Sequence, residues 1–359
     1  MKIALLGDVA LFGQNTVVNK ECYTRYLPIK EELDKCDYVI ANLETPLTSC
    51  NKTVKGKSAY LKGSIADVEI LEYLNITHVT LANNHMYDYN KQGLQETIEV
   101  LESKGIEWYG VNDKSVVIKD VNNSIALLGY CCYSTNGKGF ENSCPFINVL
   151  DPVKVELDIN KAIKRGFYPI VSMHWGQEHV HYPNYDHIKM ARKICKGKKL
   201  TIHGHHPHVI QGIDYFEGCL IAYSLGNFCF DDIYTGKSKH PLVKLSKDNQ
   251  NSFILIIELN NNEVSDYKCV PFSFEYGVYR ISYDLLERII EWSDFINEPE
   301  EKYNSIRLKD LTNYLNNRKK LRDLEWYIKR LNLESARIML AGRHNMKMYN
   351  KLVKKYISE

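Results

Sequence analysis

An α/β fold with its functional groups at the ends of strands is predicted for about residues 1–275 of this 359-residue chain, and three observations predict it. Short apolar runs of β-type residues recur along that stretch, helical patterns fall between them, and clusters of Asp, Asn, Glu and His follow the runs directly. After about residue 280 the pattern changes to long polar helices, so residues 276–359 are expected to form a separate C-terminal α-helical appendage.

In chain order the expected strands are Lys2–Leu6, Tyr38–Asn42, His78–Ala82, Ile125–Tyr130, Tyr168–His174, Leu200–His203, Cys219–Tyr223 and Phe253–Leu259. Leu94, Ile98 and Leu101 recur at helical spacing, and Gly105 ends that helix. Asp151-Pro152 starts another, as cap and first helical residue. In the appendage, Leu285, Ile289 and Trp292 share one helix face, and Leu308, Leu311, Leu315 and Leu321 share another.

Hydrophobic residues make up 44% and charged residues 25%, the balance of an ordinary globular protein, which excludes wholesale disorder, collagen and coiled-coil arrays. No apolar run is long enough for a membrane helix, and Ile3-Ala4-Leu5-Leu6 is too short for a signal segment, so a cytoplasmic location is expected. The ten cysteines contain no Cys-x-x-Cys pair and are read as reduced, buried thiols. Net charge is +2 but uneven: residues 301–359 hold 15 Lys+Arg against 6 Asp+Glu, so the tail carries +9 and the rest −7. Arg318-Lys319-Lys320 and Lys354-Lys355, with Trp326, Tyr327 and Tyr356 nearby, suit nucleic acid or a membrane surface, but docking of basic helices on the acidic body or a partner is the preferred reading, and no nucleic acid is expected. Self-association is left open.

Five clusters carry the chemistry, each at or just past a strand end, where loops of open α/β folds converge. Gly7-Asp8 offers a carboxylate after a glycine that lets the backbone turn. Asn42-Leu43-Glu44-Thr45-Pro46 offers a second. Ala82-Asn83-Asn84-His85-Met86-Tyr87-Asp88 sets an amide and an imidazole side by side, a poor choice for core packing unless both have partners. Met173-His174-Trp175-Gly176-Gln177-Glu178 runs another strand into a histidine. His203-Gly204-His205-His206-Pro207-His208 places four histidines within six residues, with Pro207 stiffening the last pair, and packing gives no reason for such a cluster. Asn227, at a later strand exit, is read as a supporting or substrate-binding group. The candidate ligands Asp8, Glu44, Asn84, His174, His206 and His208 mix oxygen and imidazole without thiolate, a set that suits Mn, Fe or Zn, and six such groups can hold two divalent ions.

In this order the motifs Gly-Asp, Asn-Leu-Glu, Ala-Asn-Asn-His, His-Trp-Gly-x-Glu, Gly-x-His-Pro-His and Ser-Leu-Gly-Asn-Phe resemble the CapA family, the capsule or poly-γ-glutamate biosynthesis proteins related to PgsA, itself similar to calcineurin-like metallophosphatases. The resemblance implies a four-layer α/β/β/α sandwich with a dinuclear metal site at its edge. It places Asp8 and His208 on one metal, Asn84, His174 and His206 on the other, Glu44 between them, and His85 as the catalytic histidine. Two local departures stand out: Asp8 is followed by Val9-Ala10, where metallophosphatases usually carry Asp-x-His, and Gly197-Lys198-Lys199 replaces a frequent Gly-Ala-Asp. The implied activity is metal-dependent hydrolysis, of a phosphoester first and of an amide in a polyglutamate-like polymer or an envelope glycan second. His85 would donate a proton or stabilise the transition state, with Asp88 or Glu178 orienting it. The alternative is a non-catalytic, metal-stabilised component of a polymer synthesis or export assembly.

Overall fold

The computed structural model describes residues 1–140, 144–234, 241–320, 328 and 330–359. Two β-sheets face each other and helices cover their outer faces, which is the four-layer α/β/β/α arrangement. In the first sheet β1 (Lys2–Val9), β2 (Tyr38–Leu43), β3 (His78–Thr80) and β4 (Glu107–Tyr109) run parallel. The antiparallel strands β12 (Asn251–Asn260), β13 (Glu263–Glu275) and β14 (Val278–Ile281) extend it beyond β1, and β11 (Asn227–Cys229) pairs with the end of β1 at Asp8. The second sheet has the order β5-β6-β7-β8-β10-β9, built from β5 (Val116–Lys119), β6 (Ser124–Cys131), β7 (Tyr168–His174), β8 (Thr201–His205), β9 (Ile213–Phe216) and β10 (Cys219–Ala222).

The central strand β1 shows why the layers form. Ile3 and Leu5 pack between the sheets with Ile125, Leu127 and Ile170, whereas Ala4 and Leu6 belong to the outer core with Tyr26 and Ile29. A strand buried on both faces has no polar side, hence the unbroken apolar run in the sequence. The helices α1 (Cys22–Leu33), α2 (Val68–Tyr73) and α3 (Asn90–Ser103) cover the first sheet, and α4 (Pro152–Lys164) and α5 (Tyr185–Cys195) the second. Leu94, Ile98 and Leu101 are the buried stripe of α3. Asp151 caps α4, its carboxylate accepting from Val153 N at 3.1 Å, with Pro152 in the first turn.

All eight expected strands are present, within a few residues of their expected ends. The sheet does not stop at residue 275, because β14 pairs with β13 through Ile281. Beyond it come α6 (Leu285–Phe295), α7 (Glu300–Lys320), α8 (Leu333–Tyr349) and a π-turn at Asn350–Lys354 leading into α9 (Lys355–Ser358). Leu285, Ile289 and Trp292 of α6 join the core between the sheets, as their spacing suggests.

For α7 the expectation needs correction. Leu308 is 61% and Leu315 41% exposed, while Leu321, Trp326 and Tyr327 lie outside the described residues. The face turned to the body is instead Tyr303, Arg307, Asp310, Tyr314 and Arg318. It docks through polar atoms: the Tyr303 hydroxyl donates to Pro183 O at 2.9 Å and His181 N donates to Asp310 Oδ2 at 3.1 Å. The Tyr303 ring also packs on Tyr182, Tyr185 and Phe295, so this face is held by aromatic packing as well as hydrogen bonds. Among the described residues all cysteines are free and seven are buried, and no helix is long and apolar enough to cross a membrane.

Candidate metal centre

Both sheets deliver polar side chains to the same edge. From the first come Asp8 at the end of β1, Glu44 just past β2, and Asn84 and His85 past β3; from the second come His174, the last residue of β7, and His206 and His208 beyond β8. The chain turns tightly there. A Cβ on Gly7 would sit 2.1 Å from Gly226 O, so only glycine lets β1 approach the residue before β11. His206 and His208 both have left-handed backbones, φ +96° and +57°, a strained conformation for non-glycine residues of the kind that concentrates at functional sites.

The six candidate ligands come together. Ligand atoms of Glu44, His174 and His206 lie within 4.8 Å of one another, and so do those of Asp8, Glu44 and His208, so Glu44 is common to both groups. Asn84 Oδ1 is 3.0 Å from His174 Nε2, and its amide nitrogen is fixed by donating to Thr135 O at 3.2 Å. Glu44 is fully buried, yet neither of its oxygens has a hydrogen-bond donor. The imidazole nitrogens His208 Nε2 and His174 Nε2 lie 3.6 Å and 4.0 Å away, too far for hydrogen bonds. Burial pushes the Glu44 carboxyl well above its usual range, only partly opposed by His208. His205 Nε2 and His206 Nδ1 are likewise buried without partners. Two groups of buried carboxylate and imidazole ligand atoms that share Glu44 form a donor set suited to divalent cations.

Neighbours hold this set in place. Asp8 accepts from Asn42 Nδ2 at 2.9 Å and from His206 N at 3.2 Å, and His205 Nδ1 stands 3.2 Å away. Burial alone would raise its carboxyl, but hydrogen bonds and charge from His205 and His208 outweigh that and hold it well below the usual range. His208 Nδ1 lies 3.0 Å from Asn227 Oδ1, so Asn227 steadies a candidate ligand. Burial would lower the His208 imidazole, but Glu44, Asp8 and Glu178 push it up to about 10. At Val9-Ala10 the chain stays buried in the sheet, and no imidazole arises from that side.

Of the four clustered histidines, His203 stands apart: its Nε2 is 2.7 Å from Leu6 O and its Nδ1 3.5 Å from Ser172 Oγ, a structural bridge between the sheets. Of the two residues expected to orient His85, only Asp88 comes within hydrogen-bond distance of it. The Asp88 Oδ2 lies 2.7 Å from His85 Nδ1. Glu178 has no hydrogen bond to His85 and lines the pocket beside His179 and His208. Burial would raise its carboxyl, but His206, His179, His208 and Arg318 together bring it down to about 2.

Two groups escaped sequence reasoning. Lys57, from an irregular loop, ion-pairs with Asp88 and donates to Asn84 O. Arg318, from α7, lines the pocket. Neither sits in a motif; the only signal was a lone lysine and a basic triplet. The pocket over the cluster has a volume of about 290 Å³, with Lys57, Asn84, His85, Glu178, His208 and Arg318 on its polar side.

Residues 2–232 match the protein family described as "Bacterial capsule synthesis protein PGA_cap". The chain is 33% identical over 254 residues to the PGA biosynthesis protein CapA of Bacillus subtilis (strain 168), covering 68% of this chain and 67% of that one. It is 28% identical over 285 residues to the capsule biosynthesis protein CapA of Bacillus anthracis, covering 74% and 68%. Among solved structures, a hypothetical protein from Thermus thermophilus superposes with a TM-score of 0.48 at 14% identity, covering 76% of this chain and 99% of that one.

Proposed function

The chain belongs to the bacterial capsule synthesis protein family PGA_cap, and on that premise we propose that it is a metal-dependent hydrolase, of phosphoesterase type, working in the metabolism of a capsule or poly-γ-glutamate-type polymer. The observation that carries the reading is Glu44: a fully buried carboxylate, without a donor on either oxygen, shared by two groups of ligand atoms. Asp8, Glu44 and His208 would hold one ion and Glu44, Asn84, His174 and His206 the other. Such ions, when bound, supply Lewis acidity and offset the negative charge that develops during hydrolysis.

The chain's own part in the chemistry centres on His85. Burial and the charge of Lys57 lower its pKa, more than Asp88 raises it, so the ring is neutral at pH 7. Burial would raise the Asp88 carboxyl, but Lys57 and His85 lower it further, so it is ionised and can only accept. The proton therefore sits on His85 Nδ1, and Nε2 is left with a lone pair at the pocket. His85 can take up a proton there and return it to a leaving group, while Lys57 and Asp88 keep the ring oriented. Replacing His85 by Ala should lower turnover of a phosphoester about 10²–10⁴-fold with metal content per chain unchanged. Loss of both together would make His85 a ligand instead. Mass-spectrometric metal analysis of the wild type comes first: close to two ions of Mn, Fe or Zn supports the reading, and none counts against it.

The second reading, a non-catalytic component of a polymer assembly, is favoured by one observation, the absence of a histidine after Asp8. It predicts that metal raises the melting temperature while no ester or amide turns over.

A further inference from the structure

The segment that matches the family ends at residue 232, yet the pocket over the candidate centre does not. α7 contributes Arg318 to it, and α8 contributes Ile338, Ala341 and Gly342. The appendage is thus a wall of the site.

Arg318 is the group there without an assigned task. Its side chain is half-buried at the pocket, and among the described residues no carboxylate comes within ion-pair distance of it, although its charge acts on Glu178 in the same lining. Its guanidinium donates to the Tyr314 hydroxyl at 3.2 Å, and the Tyr314 ring packs on His179 at 4.9 Å between centroids, so the fork is aimed from a ring anchored in the body. Lys57, which also lines the pocket, is already engaged by Asp88. A half-buried guanidinium with no carboxylate hydrogen-bonded to it is suited to a planar or tetrahedral oxyanion, which it grips through two parallel hydrogen bonds. The lining also includes the apolar residues Phe230, Ile233, Leu242 and Ile338. At about 290 Å³ the cavity is small for a ligand site, the size of one monomer rather than a length of chain.

We propose that Arg318 anchors an oxyanion of the substrate, a phosphoryl or a carboxylate group, opposite the metal-ligand cluster, and that α7 and α8 thereby select a monomer-sized anionic substrate or chain end. The proposal rests on the hydrolase reading of the centre. Calorimetric titration of the metal-loaded full chain, and of the chelated chain, with inorganic phosphate and separately with glutarate tests it. Arg318→Ala should weaken binding of at least one probe about tenfold or more, with metal content and melting temperature unchanged. Arg318→Lys, which keeps the charge but not the fork, should recover only part of the loss. Dependence of phosphate binding alone identifies a phosphoryl group, of glutarate alone a carboxylate. Wild-type affinity for both probes in either variant overturns the proposal, as does a wild-type chain that binds neither. Failure of the hydrolase reading looks different: anion binding and its Arg318 dependence persist, but no phosphoester turns over with both ions bound.

Discussion

Glu44 concentrates the energetics of the site in one side chain. Burial pushes its carboxyl well above the usual range, so ionising it in the metal-free protein carries a cost that a bound cation relieves. Glu44→Gln removes both the cost and the shared ligand. The expected result is at least one ion fewer per chain, a metal-free form that melts no lower than the metal-free wild type, and loss of the drop in melting temperature that a chelator causes in wild type. A variant that keeps full metal content and the chelator response would show that Glu44 holds no ion. At this scale the sequence was informative where residue type and strand end coincided: Asp8, Glu44, Asn84, His174, His206 and His208 stand together. It misled where a histidine satisfied a backbone carbonyl, as His203 does. It was silent on Lys57, a lone cation in a loop, and it marked Arg318 only as part of a basic run, with no spacing to show that it reaches the site.

The loop that carries Glu44 is held by α3. Leu47 N donates to Thr97 Oγ1 at 2.9 Å, while Glu96 accepts from Thr48 Oγ1 at 2.6 Å and Ser49 N at 2.8 Å. The hydrogen bond from Thr48 is the largest cause, followed by Gln92 and Ser49, that brings the Glu96 carboxyl from 4.5 down to about 2. A carboxyl with a lower pKa folded than unfolded stabilises above the unfolded value, and that contribution fades as pH falls from about 4.5 to about 2. Glu96→Gln should therefore melt below wild type at pH 7, with the gap closing as pH approaches 2. A gap independent of pH would assign the effect to shape rather than charge. Elements differ in legibility for a related reason. β1, apolar on both faces, was plain in the sequence; β13 was not, because its first half is largely exposed and its pairing with β12 across Asn261-Asn262 supplies the order that its side chains do not.

At the scale of the whole molecule, the charge imbalance suggested that a basic tail lies on an acidic body, but the contacts run mostly the other way. Lys189 of the body pairs with Glu300 of the tail at 2.7 Å, Gly56 N donates to Glu334 Oε1, and Lys193 Nζ donates to Tyr356 O at 2.6 Å. The tail supplies acceptors, and its own cations stay largely at the surface. What fixes α6 is packing: Trp292 stacks on His181 at 4.3 Å between ring centroids and closes the core between the sheets with Leu285 and Ile289. A Cβ on Gly212 would come within 2.6 Å of Trp292 O, so the helix lies directly on the backbone of the body. Docking by charge would weaken on raising salt from 0.1 to 1 M, where the screening length falls from about 10 to about 3 Å; docking by packing would not. Limited proteolysis should thus leave residues 285–320 equally protected at both salt concentrations. Trp292→Ala should cost about 3–5 kcal/mol in denaturant unfolding and expose the same segment at low salt. Release of the segment in wild type by salt alone would return the docking to electrostatics.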